Sequence, residues 1–299
     1  MQWTIADIET FLLVMDAGSI SGAAIRADVS KSVVSKRISD FEAAVGTALF
    51  TRHAGRIAPT DAAISLAERL RPALVELVAA AESVASGETG LRGRLTVSTP
   101  MSFGIQHVGP IIAAFARAHP ELEVILDYDD AMVDLARGGF DAGIRLGEMA
   151  DSTLLTRKLC EGRRAIVASP DYLAHHGPLT NPAQLSDHAS ICYLNKRIGE
   201  IWRFDPPVAP PTPARLTTNN GEAMRDMVLA GLGISLLPMF IVHDDLRQGR
   251  LVQVLPELQP PPLPINVVWP PVRPMPRKLR LLVDHLAASL GDSPPWLRD

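Results

Sequence analysis

The chain lacks the short signatures on which the common enzyme chemistries rest. Its 299 residues contain no HExxH, no GxxxxGK and no GxSxG, so a zinc-protease helix, a phosphate loop and a nucleophile elbow are absent. Gly231-Leu232-Gly233 offers half of a dinucleotide fingerprint, but it falls between a helix and a strand instead of the required strand-to-helix order, and an enzyme is not expected. Cysteine is scarce: Cys160 and Cys192 stand in separate segments without a CxxC or a His/Cys cluster, which excludes a disulfide scaffold and leaves two buried thiols. The 8 histidines are scattered, and His175-His176 read as loop residues, so neither a metal nor a cofactor is expected. No apolar run reaches the roughly 20 residues of a membrane span. The most apolar stretch, 227–242, is broken by Gly231, Gly233 and Pro238. The amino terminus through Glu9 is acidic and amphipathic where a secretory signal is basic and then apolar, which points to the cytoplasm. Net positive charge is also missing: the balance is −4, so the chain as a whole is not a nucleic-acid coat.

What remains is globular in composition, 47% hydrophobic and 21% charged. A chain of 299 residues suits a small module joined to an α/β domain of roughly 200 residues. The most informative stretch begins at Ser19. Val34, Ile38, Phe41 and Val45 recur at offsets of four, three and four, which predicts a helix with one apolar stripe turned to a core. Its other face carries Ser32, Ser35, Lys36 and Ser39, with Ser30 as cap. Short hydroxyls and flexible cations let a helix lie close in a major groove. Residues 21–27 predict a shorter helix, Asp28-Val29 a turn, and the small Gly22, Ala23 and Ala24 a close crossing of the two. An ordinary helical pair with a solvated serine face shares this pattern. Arg52 and Arg56, set around a glycine turn, favour the nucleic-acid reading because they suit a wing that grips phosphates.

Up to Thr60 the cations Arg26, Lys31, Lys36, Arg37, Arg52 and Arg56 are matched by Asp7, Glu9, Asp16, Asp28, Asp40 and Glu42, so placement carries the case. A module neutralising about four phosphates binds weakly, with a log-log salt slope near −4. Two linked modules are then needed on one duplex.

Ser19-Ile20-Ser21-Gly22-Ala23-Ala24, Ser32-Val33-Val34-Ser35, Phe41-Glu42, Gly46 and Leu49-Phe50-Thr51-Arg52, in that order and spacing, resemble the winged helix-turn-helix of LysR-type transcriptional regulators. Lys31 departs from the family's frequent glutamine, and Ala58-Pro59-Thr60 from its usual leucine-threonine. The second half is similar to that family's effector domain at Pro100-Met101-Ser102-Phe103-Gly104, 139–147, 168–173, 219–222 and 230–234. The resemblance implies an amino-terminal winged helix-turn-helix with a long linker helix, then two Rossmann-like α/β subdomains of periplasmic-binding-protein type. It implies double-stranded operator DNA, a small-molecule effector and a homo-oligomer, dimer or dimer of dimers, as partners, with no membrane.

The chain pattern divides accordingly. Ile5, Ile8, Leu12 and Met15 predict a first helix, and residues 1–60 the winged module. Leu66, Leu70, Leu74, Leu77, Ala81 and Val84 predict a linker helix over 61–85. Its stripe looks too long to bury on so small a module, hence a dimer seam; Pro72 is expected to bend it. Residues 86–91 read as a hinge, and 92–299 as the regulatory part, with one subdomain at about 92–162 and 267–299 and another at about 163–266. Strands at 95–98, 122–128 and 142–146 alternate with helices at 105–118 and 132–137, which implies a parallel sheet. A second set has strands at 165–168, 191–194, 216–218 and 234–237 and a helix at 222–229; the closing helix is 277–290. The prolines of 206–213 and 256–276 fit loops and edge segments.

Candidate DNA contacts are Ser21, Lys31, Ser32, Ser35, Lys36, Arg37, Arg52 and Arg56. Ligands of open α/β sheets gather at strand carboxyl ends and helix amino termini, which selects Thr99, Pro100, Met101, Ser102, Phe103, Arg145, Asn219 and Asn220. Arg145 suits an anionic effector. Each has a structural alternative: Arg145 pairing with Asp127 or Asp129, Asn219-Asn220-Gly221 as a helix cap, and Met101 and Phe103 closing a core.

Overall fold

The computed structural model describes residues 3–53, 56–84, 90–131, 134–149, 153–194, 202–205, 207–272, 275–291 and 294–297. Residues 86–89 of the expected hinge therefore lie outside the described residues, as does the wing tip Ala54-Gly55. Two compact units emerge: residues 1–89 with 133–141 and 270–279, and residues 90–132, 142–269 and 280–299.

The first unit opens with α1 (Ile5–Ala17), α2 (Ile20–Arg26) and α3 (Lys31–Val45). Each start is capped by a hydroxyl: Thr4 and Asp7 form a capping box, the Ser19 Oγ accepts from the Gly22 N–H at 3.0 Å, and Ser30 accepts from Val33. Gly22 has a local task instead of a helix-crossing one. A Cβ there would stand 2.9 Å from the Ser19 Oγ, so a side chain would crowd the cap. Phe11, Val14, Ala23, Val34, Ile38 and Phe41 are buried, with Phe11 and Phe41 ring centroids 5.5 Å apart. The expected stripes are shortened at their ends. Val45 and Ile5 are 39% and 47% exposed, because the last turn of α3 and the first of α1 overrun the core.

Strands β1 (Phe50–His53) and β2 (Arg56–Pro59) pair antiparallel, Phe50 opposite Pro59. Thr60 replaces a longer cap, its hydroxyl accepting from the Ala63 N–H at 3.2 Å to start α4 (Asp61–Val84). This helix runs through Pro72. Leu66, Leu70 and Leu74 pack on the winged core, aided by an Arg71–Asp16 ion pair, so more of the stripe is buried within the chain than the periodicity implied. Leu77 remains half exposed, and the side chains of Ala81 and Val84 lie outside the described set.

The second unit holds two sheet lobes. The first has the order β4-β3-β5-β12-β6, from β3 (Gly93–Thr99), β4 (Leu122–Tyr128), β5 (Ala142–Leu146), β6 (Leu155–Gly162) and β12 (Leu263–Trp269). β3 is parallel to β4 and β5, but β12 is antiparallel to both β5 and β6, so the sheet is mixed where alternation implied a parallel one. β12 is also an inner strand within the proline-rich stretch read as loop and edge. Pro264 is tolerated because it stands at the strand start and its carbonyl, which needs no N–H of its own, accepts from Gly147 at 2.8 Å. The other lobe has β7 (Arg164–Ala168) between β10 (Ser235–Pro238) and β11 (Val252–Gln253), beside β8 (Ala189–Tyr193) paired with β9 (Thr212–Thr218). The chain crosses between lobes at Arg163 and again after β11, somewhat before the expected 267.

Helices follow the strands: α5 (Met101–Phe103) continues through a π-turn, Gly104–Val108, into α6 (Gly109–Ala118). Tyr128 forces the irregularity to carry a glycine, since a Cβ at 104 would lie 2.7 Å from its ring. The others are α7 (Leu135–Gly138), α8 (Pro170–His176), α9 (Gly221–Leu229), α10 (Met239–Arg247) and α11 (Arg277–Leu290). His175 and His176 thus end a helix and not a loop; His176 stacks on Tyr172 at 4.1 Å. Both cysteines are buried and free, and burial pushes the Cys160 thiol up to about 11. Among the described residues no helix is long and apolar enough to cross a membrane, and no group of three or more His, Cys, Asp or Glu could hold a metal.

His107, on the π-turn, packs against Trp296 at 4.2 Å and Phe103 at 5.1 Å. Burial, with His243 nearby, lowers its pKa to about 4. The unfolded chain therefore takes a proton near pH 6.5 that the folded chain refuses until about 4, so stability is full above 6.5 and falls through that window. His107→Phe is expected to remove roughly 2 to 3 kcal/mol of that acid loss. Urea unfolding of both proteins at pH 7, 5.5 and 4.5 checks it: the gap between them should narrow or reverse on acidification.

Candidate nucleic-acid and ligand sites

The seam that buries Val34, Ile38 and Phe41 turns the opposite face of α3 outward. Ser32, Val33 and Lys36 are exposed away from the seam, Lys31 is exposed at the helix start, and Ser35 is half-buried. Ser32 shares a 2.7 Å hydrogen bond with Ser30, so the hydroxyls at the helix start are held as a pair. Ser21 is half-buried on α2. Arg37 differs from its neighbours: it is half-buried and its guanidinium donates to the Thr10 hydroxyl at 3.2 Å, tying α3 to α1. Arg52 and Arg56 fall on β1 and β2, opposite Ile57 and His53, and their side chains lie outside the described set.

Sequence reasoning passed over the wing's brace. Glu42 leaves the end of α3 and one carboxylate oxygen accepts from the Leu49 N–H at 2.7 Å and the Phe50 N–H at 3.0 Å. Two backbone donors at the entry to β1 are thereby satisfied by a charged acceptor, which sets the wing against α3. A buried apolar run following a helical carboxylate was the available signal.

In the second unit the strand ends converge. Thr99 ends β3 fully buried, and its hydroxyl has no hydrogen-bond partner among the described residues. Pro100 precedes Met101, whose N–H donates to the Asp130 carboxylate at 2.9 Å. Ser102 donates to Glu222 at the start of α9, and the Gln106 amide donates to the other oxygen of that carboxylate at 3.0 Å. Asn220 caps α9, accepting from Ala223 at 2.9 Å, while its amide nitrogen reaches the Met101 sulfur at 3.5 Å. Arg145 is 9% exposed and donates to the Ser98 hydroxyl at 3.3 Å and the Ile144 carbonyl at 2.9 Å. Burial lowers its pKa and Asp129 opposes that shift. Burial raises the pKa of Asp130, Glu222 and Asp129 add to the rise, and the Met101 N–H and Tyr193 hydroxyl oppose it.

The candidates therefore separate. Thr99, Met101, Ser102 and Asn220 come together, with Asn219 exposed beside them. Phe103 does not join them: it is fully buried in an aromatic core with Phe240 at 5.1 Å and Trp296 at 5.6 Å. Asp130, Glu222, Gln106 and Tyr193 were not singled out from the sequence. Asp130 closes the acidic run after β4, and Glu222 occupies the first turn of α9, where a carboxylate is favoured by the helix dipole.

Comparison with known proteins bears on both regions. A family model described as the LysR substrate binding domain matches residues 88–291, and one described as the bacterial regulatory helix-turn-helix protein, lysR family, matches residues 5–64. The HTH-type transcriptional regulator PtxR of Pseudomonas aeruginosa is 32% identical over 287 residues, 95% of this chain and 92% of its own. An uncharacterized HTH-type transcriptional regulator of Haemophilus influenzae is 32% identical over 281 residues, 91% of this chain and 96% of its own. The solved structure of CrgA from Neisseria meningitidis, a LysR-type transcriptional regulator, superposes with a TM-score of 0.62 at 27% identity, covering 97% of this chain and 100% of that one.

Removing the wing brace should be felt locally. Glu42→Ala leaves two half-buried N–H groups without their acceptor and is expected to destabilise the amino-terminal unit by about 2 kcal/mol. Glu42→Gln, which keeps one acceptor, should recover about half; thermal unfolding of the three proteins tests the order.

Proposed function

The chain belongs to the LysR family of transcriptional regulators, a family of regulators and not of enzymes, and from that premise we propose that it binds operator DNA sequence-specifically under the control of a small-molecule effector. The observation that carries the DNA half is the exposed Ser32 and Lys36 on the face of α3 opposite its buried seam, with Lys31 exposed at the helix start. In this reading α3 enters the major groove, Ser32 and Ser35 meet base edges, Lys31 and Lys36 meet phosphates, Ser21 steadies the preceding helix on the backbone, and Arg52 and Arg56 hold the strand beside it. Arg37 belongs to the fold instead, because its guanidinium is engaged by Thr10.

So few cations bind one site weakly, and a second module on the same duplex supplies the missing affinity. The half-exposed Leu77 on α4 supports a homodimer through that helix, with 1–60 as the winged module, 61–85 as the linker and 92–299 as the regulatory part. The effector would sit between the two sheet lobes, against Thr99, Ser102, Asn219 and Asn220 with Arg145 behind them. Supporting this are the hydrogen-bonding groups drawn together there and the Thr99 hydroxyl, which has no partner among the described residues. Such a regulator works in the cytoplasm, where its operator is.

Fluorescence anisotropy on the upstream region of its own gene, at several salt concentrations, tests the DNA half. Lys36→Ala should weaken binding to specific and random duplexes alike and reduce the salt slope by about 1. Arg37→Ala should leave that slope unchanged while lowering the melting temperature. Should Lys36→Ala leave the slope at its wild-type value, Lys36 is not on phosphate. For the effector half, Arg145→Ala should keep the operator footprint and lose the change that a small-molecule cell extract produces in the wild-type footprint.

A further inference from the structure

Glu222 holds a position in the cleft that a bound ligand would be expected to hold. Its carboxylate reaches from α9 on one lobe to Ser102 and Gln106 on the other, and both of those side chains donate to it. Among the described residues, neither the Ser102 hydroxyl nor the Gln106 amide has another acceptor. The same seam is reinforced by Asn220 against the Met101 sulfur and by the Tyr193 hydroxyl on Asp130. Gly221 permits the approach, since a Cβ there would stand 3.3 Å from the Ser102 Oγ and 2.5 Å from Ile241. At Ser102 and Gln106 the lobes are thus tied by a carboxylate of the protein's own set on two donors, and at the end of β3 the buried Thr99 hydroxyl has no hydrogen-bond partner among the described residues.

Resting on the reading of this cleft as the effector site, we propose that Glu222 is an internal competitor for the effector, which carries a carboxylate that replaces Glu222 on Ser102 and Gln106. The two donors suit a carboxylate because each offers an N–H or O–H and together they span its two oxygens. Displaced from its donors, the Glu222 charge still repels that of Asp130, so effector binding and release of the lobe contact are one exchange. The competition also sets a threshold: a ligand acid has to outbind a tethered carboxylate whose effective concentration is in the millimolar range or above.

Hydrogen exchange of the full-length protein tests this without knowledge of the effector. In Glu222→Ala the amides of 102–108 should exchange about ten-fold faster than in wild type, as a lost charged hydrogen-bond pair implies. Sodium acetate at about 50 mM should refill the vacated position and bring exchange back to within about two-fold of wild type, while sodium chloride at equal ionic strength should not. Ser102→Ala should also speed exchange, but acetate should leave it unchanged, because Glu222 is still present and a donor is gone. Wild-type exchange rates in Glu222→Ala, or equal recovery with chloride, would overturn the proposal. Loss of operator binding by the wild-type protein would instead refute the regulatory reading, and the two results are read from different assays.

Discussion

The burial of Val34, Ile38 and Phe41 against Phe11 is the contact on which the amino-terminal unit depends. Each fully buried side chain of this size contributes about 1.5 to 3 kcal/mol, so the seam outweighs any single polar group on α3. It also fixes rotation. With 3.6 residues per turn, turning the helix by two positions, about 200°, would carry Lys36 into the core and expose Phe41, exchanging a large apolar gain for the burial of a charge. The outward display of Ser32 and Lys36 is therefore a consequence of packing and requires no stabilisation from DNA. Arg37 marks the boundary of that display, close enough to the seam for its guanidinium to reach Thr10.

The same logic, with polar groups in place of apolar ones, governs the cleft. Strand ends and helix starts leave donors that need acceptors, and in a half-buried cleft an unmet donor costs more than a met one gains. The protein meets most of them itself: Asp130 takes the Met101 N–H, Asn220 takes that of Ala223, and Glu222 takes Ser102 and Gln106. On the proposed reading of the cleft, a ligand entering here exchanges hydrogen bonds instead of creating them, which favours modest affinity and a reversible response.

How far these arrangements could be read in advance depended on whether local sequence carried the cause. The apolar period of α11 and the cap-and-stripe pattern of α3 are local, and both helices lie where the residues placed them. β12 was hidden because its reason is not local: Pro264 suggests a loop until Gly147 and the strands on either side are in place. β6 was hidden because its first four residues are exposed and only its second half is buried, so no period of two appears. In the cleft, the strand-end rule selected Thr99, Ser102 and Asn220, which sit on the chain where the rule looks. It could not find Glu222 or Gln106, whose role arises from a contact 116 residues apart in sequence. Phe103 was misplaced for the converse reason, since a large aromatic beside a helix start serves core and pocket equally well until its neighbours Phe240 and Trp296 are known.

The thiols bear on where a signal can enter. A sensing cysteine needs thiolate character and access. Cys160 has neither, because it is buried in β6 and its pKa is raised to about 11, first by burial and then by the Glu161 charge. Cys192 is buried in β8, its Sγ set toward the Ser190 carbonyl at 3.4 Å. Burial keeps oxidants in solution from either thiol. The cleft is differently placed: Ser102 and Gln106 meet Glu222 through side-chain hydrogen bonds that join elements beside separate sheets. Input through a ligand at that seam therefore requires far less disruption of the fold than input through the cysteines.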